Sequence, residues 1–128
     1  MKPTHAELQQ QIIDLAHLLG WRHLHVRRSI GKGRKWVTTT NVIGWPDLLL
    51  WSSRQPGRHI AIEVKVPPDK LAEAQRSVLD DLAASGFEVH VITPDTFDTL
   101  VAVFGVRVAE QAITASWVND RQSNTPTG

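Results

Sequence analysis

Leu8, Ile12, Leu15 and Leu19 recur at helical spacing behind Thr4-His5-Ala6-Glu7, which has the form of a capping box, and Gly20 closes the pattern. The first predicted element is therefore an amphipathic helix. HLHVRR, from His23, alternates like a strand, whereas SIGKGRKWVTTTN, from Ser29, has the character of an irregular basic loop loosened by Gly31 and Gly33. DLLLW and IAIEVKV are short apolar runs separated by SSRQPGR, whose turn residues join them into a hairpin. Helical spacing returns with Leu71, Val78, Leu79 and Leu82, giving a helix from Asp69, its N-cap, to Ser85, with Gly86 at the C-cap. FEVHVIT is a further strand. Thr93-Pro94 then reads as an N-cap and first helical residue, with Phe97, Leu100, Val101 and Phe104 as the buried face and Gly105 as the end.

The order helix, three strands, helix, strand, helix (αβββαβα) predicts an α/β fold, a mixed sheet flanked by helices. The first three strands can pair antiparallel, and a helical crossover then brings the last strand in parallel. At 128 residues the chain has the length of one domain. We place that domain at residues 1–105, a C-terminal extension at 106–119, where the pattern fits neither period, and a disordered tail at 120–128.

With 41% hydrophobic and 21% charged residues, the composition is that of a globular protein. The absence of cysteine excludes disulfides and thiolate zinc sites, and no apolar run is long enough to span a bilayer, so a cytoplasmic protein is expected. The net charge of +1 hides an uneven distribution. Arg22, Arg27, Arg28, Lys32, Arg34 and Lys35 fall in one stretch without an acidic residue, and acidic residues gather from Glu63 onward. One end of the fold should be positive.

Glu63 and Lys65 are two apart in a strand, so they share a face with Ala61, while Ile60, Ile62, Val64 and Val66 point the other way. A solvent-facing ion pair would satisfy that pattern. The hairpin argues for more, because a turn near Gln55 folds Asp47 back to within about a residue or two of Glu63. Juxtaposed carboxylates repel unless a cation lies between them. Gln75 falls on the apolar stripe of the following helix, where a polar side chain needs partners. Glu7 has a sufficient local role in the capping box and is also placed to enter the same cleft. Oxygen ligands without cysteine favour Mg²⁺ or Mn²⁺ over zinc, and His23 with His25 lack a third ligand.

An acidic residue in the first helix, Gly44-x-Pro46-Asp47, Glu63-Val64-Lys65, then Asp69 and Gln75 together resemble the PD-(D/E)xK nuclease superfamily, and within it the VRR-NUC family. The resemblance covers roughly residues 4 to 93. It implies a restriction-endonuclease-like core and a metal-dependent endodeoxyribonuclease. It further implies that Asp47, Glu63 and the Val64 carbonyl hold Mg²⁺ or Mn²⁺, with Glu7 reaching the metal directly or through water. Lys65 would face the attacking water, Gln75 would orient Lys65 or the water, and the six basic residues from Arg22 to Lys35 would lie along the DNA phosphates. Small stand-alone members resemble phage and bacterial enzymes that act as homodimers on branched DNA such as Holliday junctions. A flap, single-strand or restriction-type nuclease is the alternative with the same site, and a catalytically silent nucleic-acid-binding module is the alternative without it.

Overall fold

The structure, a computed structural model, describes residues 2–26, 28–30, 36–38 and 41–105. Helix α1 (His5–Leu18) is followed by strands β1 (Arg22–His25), β2 (Arg28–Ile30), β3 (Trp36–Thr38), β4 (Leu48–Trp51) and β5 (His59–Val64). Helix α2 (Glu73–Ala84), strand β6 (Glu88–Ile92), a 3₁₀ turn (Phe97–Thr99) and helix α3 (Leu100–Phe104) complete the described chain. The main sheet has the order β1-β4-β5-β6. Its first three strands are antiparallel neighbours, and β6 joins β5 in parallel after α2. In the main sheet and its helices the expected αβββαβα order is thus present.

Alternation sets the two layers. Leu48, Leu50, Ile60, Ile62 and Val64 pack against Leu8, Ile12, Ile13 and Ala16 of α1 and Leu100, Val103 and Phe104 of α3. The opposite face places Ala61 and Val89 against Leu79 of α2. Trp21, between α1 and β1, is buried in the first layer and donates its indole N–H to the Phe104 carbonyl at 2.8 Å. No described helix is long and apolar enough to cross a membrane.

Four details depart from the sequence reading. The basic segment expected to be irregular contains β2 and β3, paired Arg28↔Thr38, Ser29↔Val37 and Ile30↔Trp36, and β1 ends at His25 so that Arg28 begins the next strand. Arms of three residues are too short to display a period of two. Helix α2 begins at Glu73 and not after an Asp69 cap, because the Gln75 side chain accepts the Ala72 amide N–H at 2.9 Å and takes over the capping. Thr93 closes a turn instead of starting a helix, with its amide donating to the Thr96 hydroxyl at 2.9 Å. Val101 is 58% exposed, and Val103 takes its place on the buried face of α3. The predicted extension and tail, residues 106–128, lie outside the described residues.

Candidate active site

One end of the sheet gathers the polar residues. In the antiparallel register Leu48 lies opposite Ile62, so Asp47, one position earlier, stands at the place opposite Glu63. His25 lies opposite Leu48 on the other side, and β6 ends alongside Val64 at Ile92. Lys65 follows the last residue of β5 and extends the ladder through its amide, which donates to the Ile92 carbonyl at 2.9 Å. The strand that carries Glu63 is therefore hydrogen-bonded on both sides up to the site.

Asp47 is set by the turn before β4. Gly44 has φ of 90°, and a Cβ there would stand 2.5 Å from the Ala74 carbonyl carbon and oxygen and 2.8 Å from the Gln75 nitrogen. Only glycine lets this turn press against the start of α2. Pro46 is buried and fixes the approach to the strand. The Asp47 carboxylate then accepts the Val64 amide N–H on Oδ2 at 2.8 Å. The same oxygen lies 3.5 Å from His5 Nε2 at the start of α1. Its other oxygen, Oδ1, has no hydrogen-bond partner among the described residues.

Glu63 is buried at 2% exposure, on the α2 side of the sheet, rather than forming a solvent-facing pair with Lys65. Gln75 donates Nε2 to Glu63 Oε1 at 3.4 Å while its Oε1 holds the Ala72 amide. This glutamine joins the capping of α2 to the buried carboxylate, which gives a buried polar side chain both of its partners. Lys65 is half-buried, and no ion pair among the described residues engages its ammonium.

Glu7 sits at the cap. Its Oε1 accepts the Thr4 amide at 2.9 Å, its own amide donates to Thr4 Oγ1 at 3.1 Å, and the Thr4 amide holds its carboxyl below the ordinary carboxylate value. Among the described residues the α1 side chain that meets Asp47 is His5, which stands inside the capping-box motif and carries no pattern of its own. Its only sequence signal was the position next to the cap. On the same side of α1, Gln9 Nε2 lies 3.0 Å from Nε2 and 3.3 Å from Nδ1 of His25. His17 and His23 form a further pair, Nε2 to Nδ1 at 2.8 Å, and burial followed by the neighbouring His17 and His25 pushes the His23 pKa down.

Of the expected DNA-contacting residues, Arg22 lies opposite Trp51, at the other end of β1 from Asp47. Arg28 opens β2 in the stretch that leaves β1 on the Asp47 side. Arg27, Lys32, Arg34 and Lys35 lie outside the described residues.

No group of three His, Asp or Glu side chains among the described residues is arranged to hold a metal ion. Asp47 and Glu63 supply two carboxylates, one with an oxygen that no described hydrogen bond uses. Carboxylate oxygens are the hard donors that a hard divalent cation takes, and the Val64 carbonyl would add a third oxygen of the same kind. Mg²⁺ commonly takes one or two carboxylates and fills its remaining positions with water and substrate oxygens.

A mixed sheet with paired carboxylates and a lysine at one end, covered by helices on both faces, is a restriction-endonuclease-like α/β fold. The family model for the VRR-NUC domain matches residues 2–95, and the chain belongs to that family, a nuclease domain whose substrate class is DNA. A solved structure described as a VRR_NUC domain superposes with a TM-score of 0.54 at 24% identity, covering 77% of this chain and 94% of that one, and supports the fold. No curated protein matches the chain.

Proposed function

We propose that the domain is a Mg²⁺- or Mn²⁺-dependent endodeoxyribonuclease with Asp47, Glu63 and the Val64 carbonyl as its metal-holding groups. The observation that carries this reading is the strand register that stands Asp47 opposite Glu63, with Lys65 two residues on. When bound, the divalent cation supplies Lewis-acid polarisation of the scissile phosphate and a more acidic water. The protein's own part is positional and electrostatic. Asp47 and Glu63 fix the donor oxygens, each oriented by a hydrogen bond from a neighbouring element. The Lys65 ammonium stabilises negative charge developing on the phosphoryl oxygens as water attacks phosphorus and the ester oxygen departs. Glu7 would join the donor set by releasing the Thr4 amide.

Arg22, Arg27, Arg28, Lys32, Arg34 and Lys35 are proposed to track the DNA backbone. Branched DNA, of the Holliday-junction type, is the proposed substrate, and a homodimer the proposed assembly. One chain carries one site, and paired cuts in opposite strands need two sites related by symmetry.

The test is a cleavage panel of four-way junction, flap, single-strand and linear duplex DNA with Mg²⁺, Mn²⁺ or chelator. We expect junction cleavage that needs the metal and falls by about 100-fold or more in Lys65→Ala and in Glu63→Ala. Full activity in either variant with an intact fold removes the site assignment. Preference for another substrate corrects the substrate class, and binding without cleavage supports a silent module. Sedimentation at assay concentration checks the dimer.

A further inference from the structure

His5 is the first residue of α1, and its half-exposed ring brings Nε2 to 3.5 Å from Asp47 Oδ2. That oxygen already accepts the Val64 amide at 2.8 Å, so both contacts fall on the same side of the carboxylate. Oδ1 has no hydrogen-bond partner among the described residues.

The helix is ordered at its start and tied to the strand ends one turn later. The Thr4–Glu7 capping box fixes its first turn, and in the next turn Gln9 contacts the ring of His25, which stands opposite Leu48, the residue after Asp47. Because Glu7 serves the cap, the α1 group presented to Asp47 is an imidazole.

We propose that His5 is a positioning residue of the site proposed above. With a proton on Nε2, its ring acts with the Val64 amide to hold Oδ2 and so reserves Oδ1 for the cation. Carboxylate ligands are commonly oriented by a further hydrogen-bonding group, and removing such a group weakens metal affinity by about 10- to 100-fold. At 3.5 Å the imidazole stands at ion-pair distance from Oδ2, and the proposed hydrogen bond needs only a small closing movement of the ring. The proposal rests on Asp47 being a metal-holding residue.

The test measures Mn²⁺ binding to the full chain by titration calorimetry, beside thermal melting and cleavage kinetics. His5→Ala is expected to weaken Mn²⁺ binding about 10-fold with an unchanged melt, the lost activity recovering at raised Mn²⁺. His5→Gln, which can present an amide N–H from a similar distance along the side chain, is expected to restore most of the affinity. Wild-type Mn²⁺ affinity in His5→Ala, with Glu63→Ala defective, overturns the role of His5 and leaves the proposed function standing. Equal losses in His5→Ala and His5→Gln also overturn it, because the hydrogen bond would not be the property lost. A wild-type chain that neither binds Mn²⁺ nor cleaves DNA overturns both.

Discussion

Gln75 performs two tasks with the two ends of one amide. Its carbonyl oxygen caps α2 at Ala72, and its nitrogen reaches Glu63 Oε1. Gln75→Glu separates them, because a carboxylate can still accept the Ala72 amide but meets Glu63 with like charge. We expect the helix to persist by circular dichroism and kcat/KM to fall by about 10-fold or more. An unchanged or raised rate would remove Gln75 from the site. The position was legible in the sequence as a polar residue on an apolar stripe, and so was the Asp47–Glu63 pairing, which follows from hairpin register alone. His5 was not legible. Its place beside Asp47 depends on where α1 docks over the strand ends, which no spacing within one element encodes.

Gly44 shows how elements depend on one another. Gly44 and Gly57 both have positive φ, 90° and 85°, yet an added Cβ at Gly57 meets nothing within 4 Å, whereas at Gly44 it enters the backbone of α2. Gly57→Ala should therefore lose only the left-handed backbone penalty of about 1–2 kcal/mol. Gly44→Ala should lose that and about 1–3 kcal/mol more from overpacking, measured by urea unfolding. Its kcat/KM should fall beyond what the unfolded fraction explains, since the displaced turn carries Asp47 and the displaced helix carries Gln75. Equal effects of the two substitutions on stability and on cleavage would show that the α2 contact is not needed. The sequence announced a turn at Gly44 but not its neighbour, since close approach is a tertiary fact. The same limit explains the misplaced start of α2: Asp69 has good capping chemistry, but Gln75 caps from inside the helix. The strands β2 and β3 escaped notice because their short arms flank a glycine-rich basic stretch whose composition resembles a loop.

Across the whole molecule, the alternation of Ile60, Ile62 and Val64 and the helical spacing of Leu8 and Ile12 made the sheet and its helical cover readable, since apolar burial decides both. The buried charges on the same face were not readable from periodicity. Register places Glu88 beside Ile60 and His90 beside Ile62 on the face toward α1 and α3. Arg58 donates to both Glu88 oxygens, at 2.7 and 2.5 Å, and to the Val103 carbonyl at 2.8 Å, with its guanidinium 5.1 Å from the Trp21 ring centre. It therefore ties the edge strand to the last turn of α3, and Glu88→Ala should destabilise the fold by about 3–5 kcal/mol. His90 is buried near this pair. Burial pushes its pKa below the ordinary 6.5, Arg58 acts in the same direction, and Glu88 opposes them. The folded protein thus resists a proton that the unfolded chain accepts. The stability linked to His90 is fully present above the unfolded pKa of about 6.5 and is lost as pH falls from there through the folded value. His23, with its pKa also lowered, adds a change of the same sign from a more exposed position. Unfolding free energy from urea titrations should therefore fall between about pH 7 and about pH 5, a range in which few carboxylates have begun to titrate. His90→Gln should flatten that dependence, leaving the remainder to His23. If the wild-type and His90→Gln profiles run parallel, the buried imidazole is not the group that couples acid to unfolding.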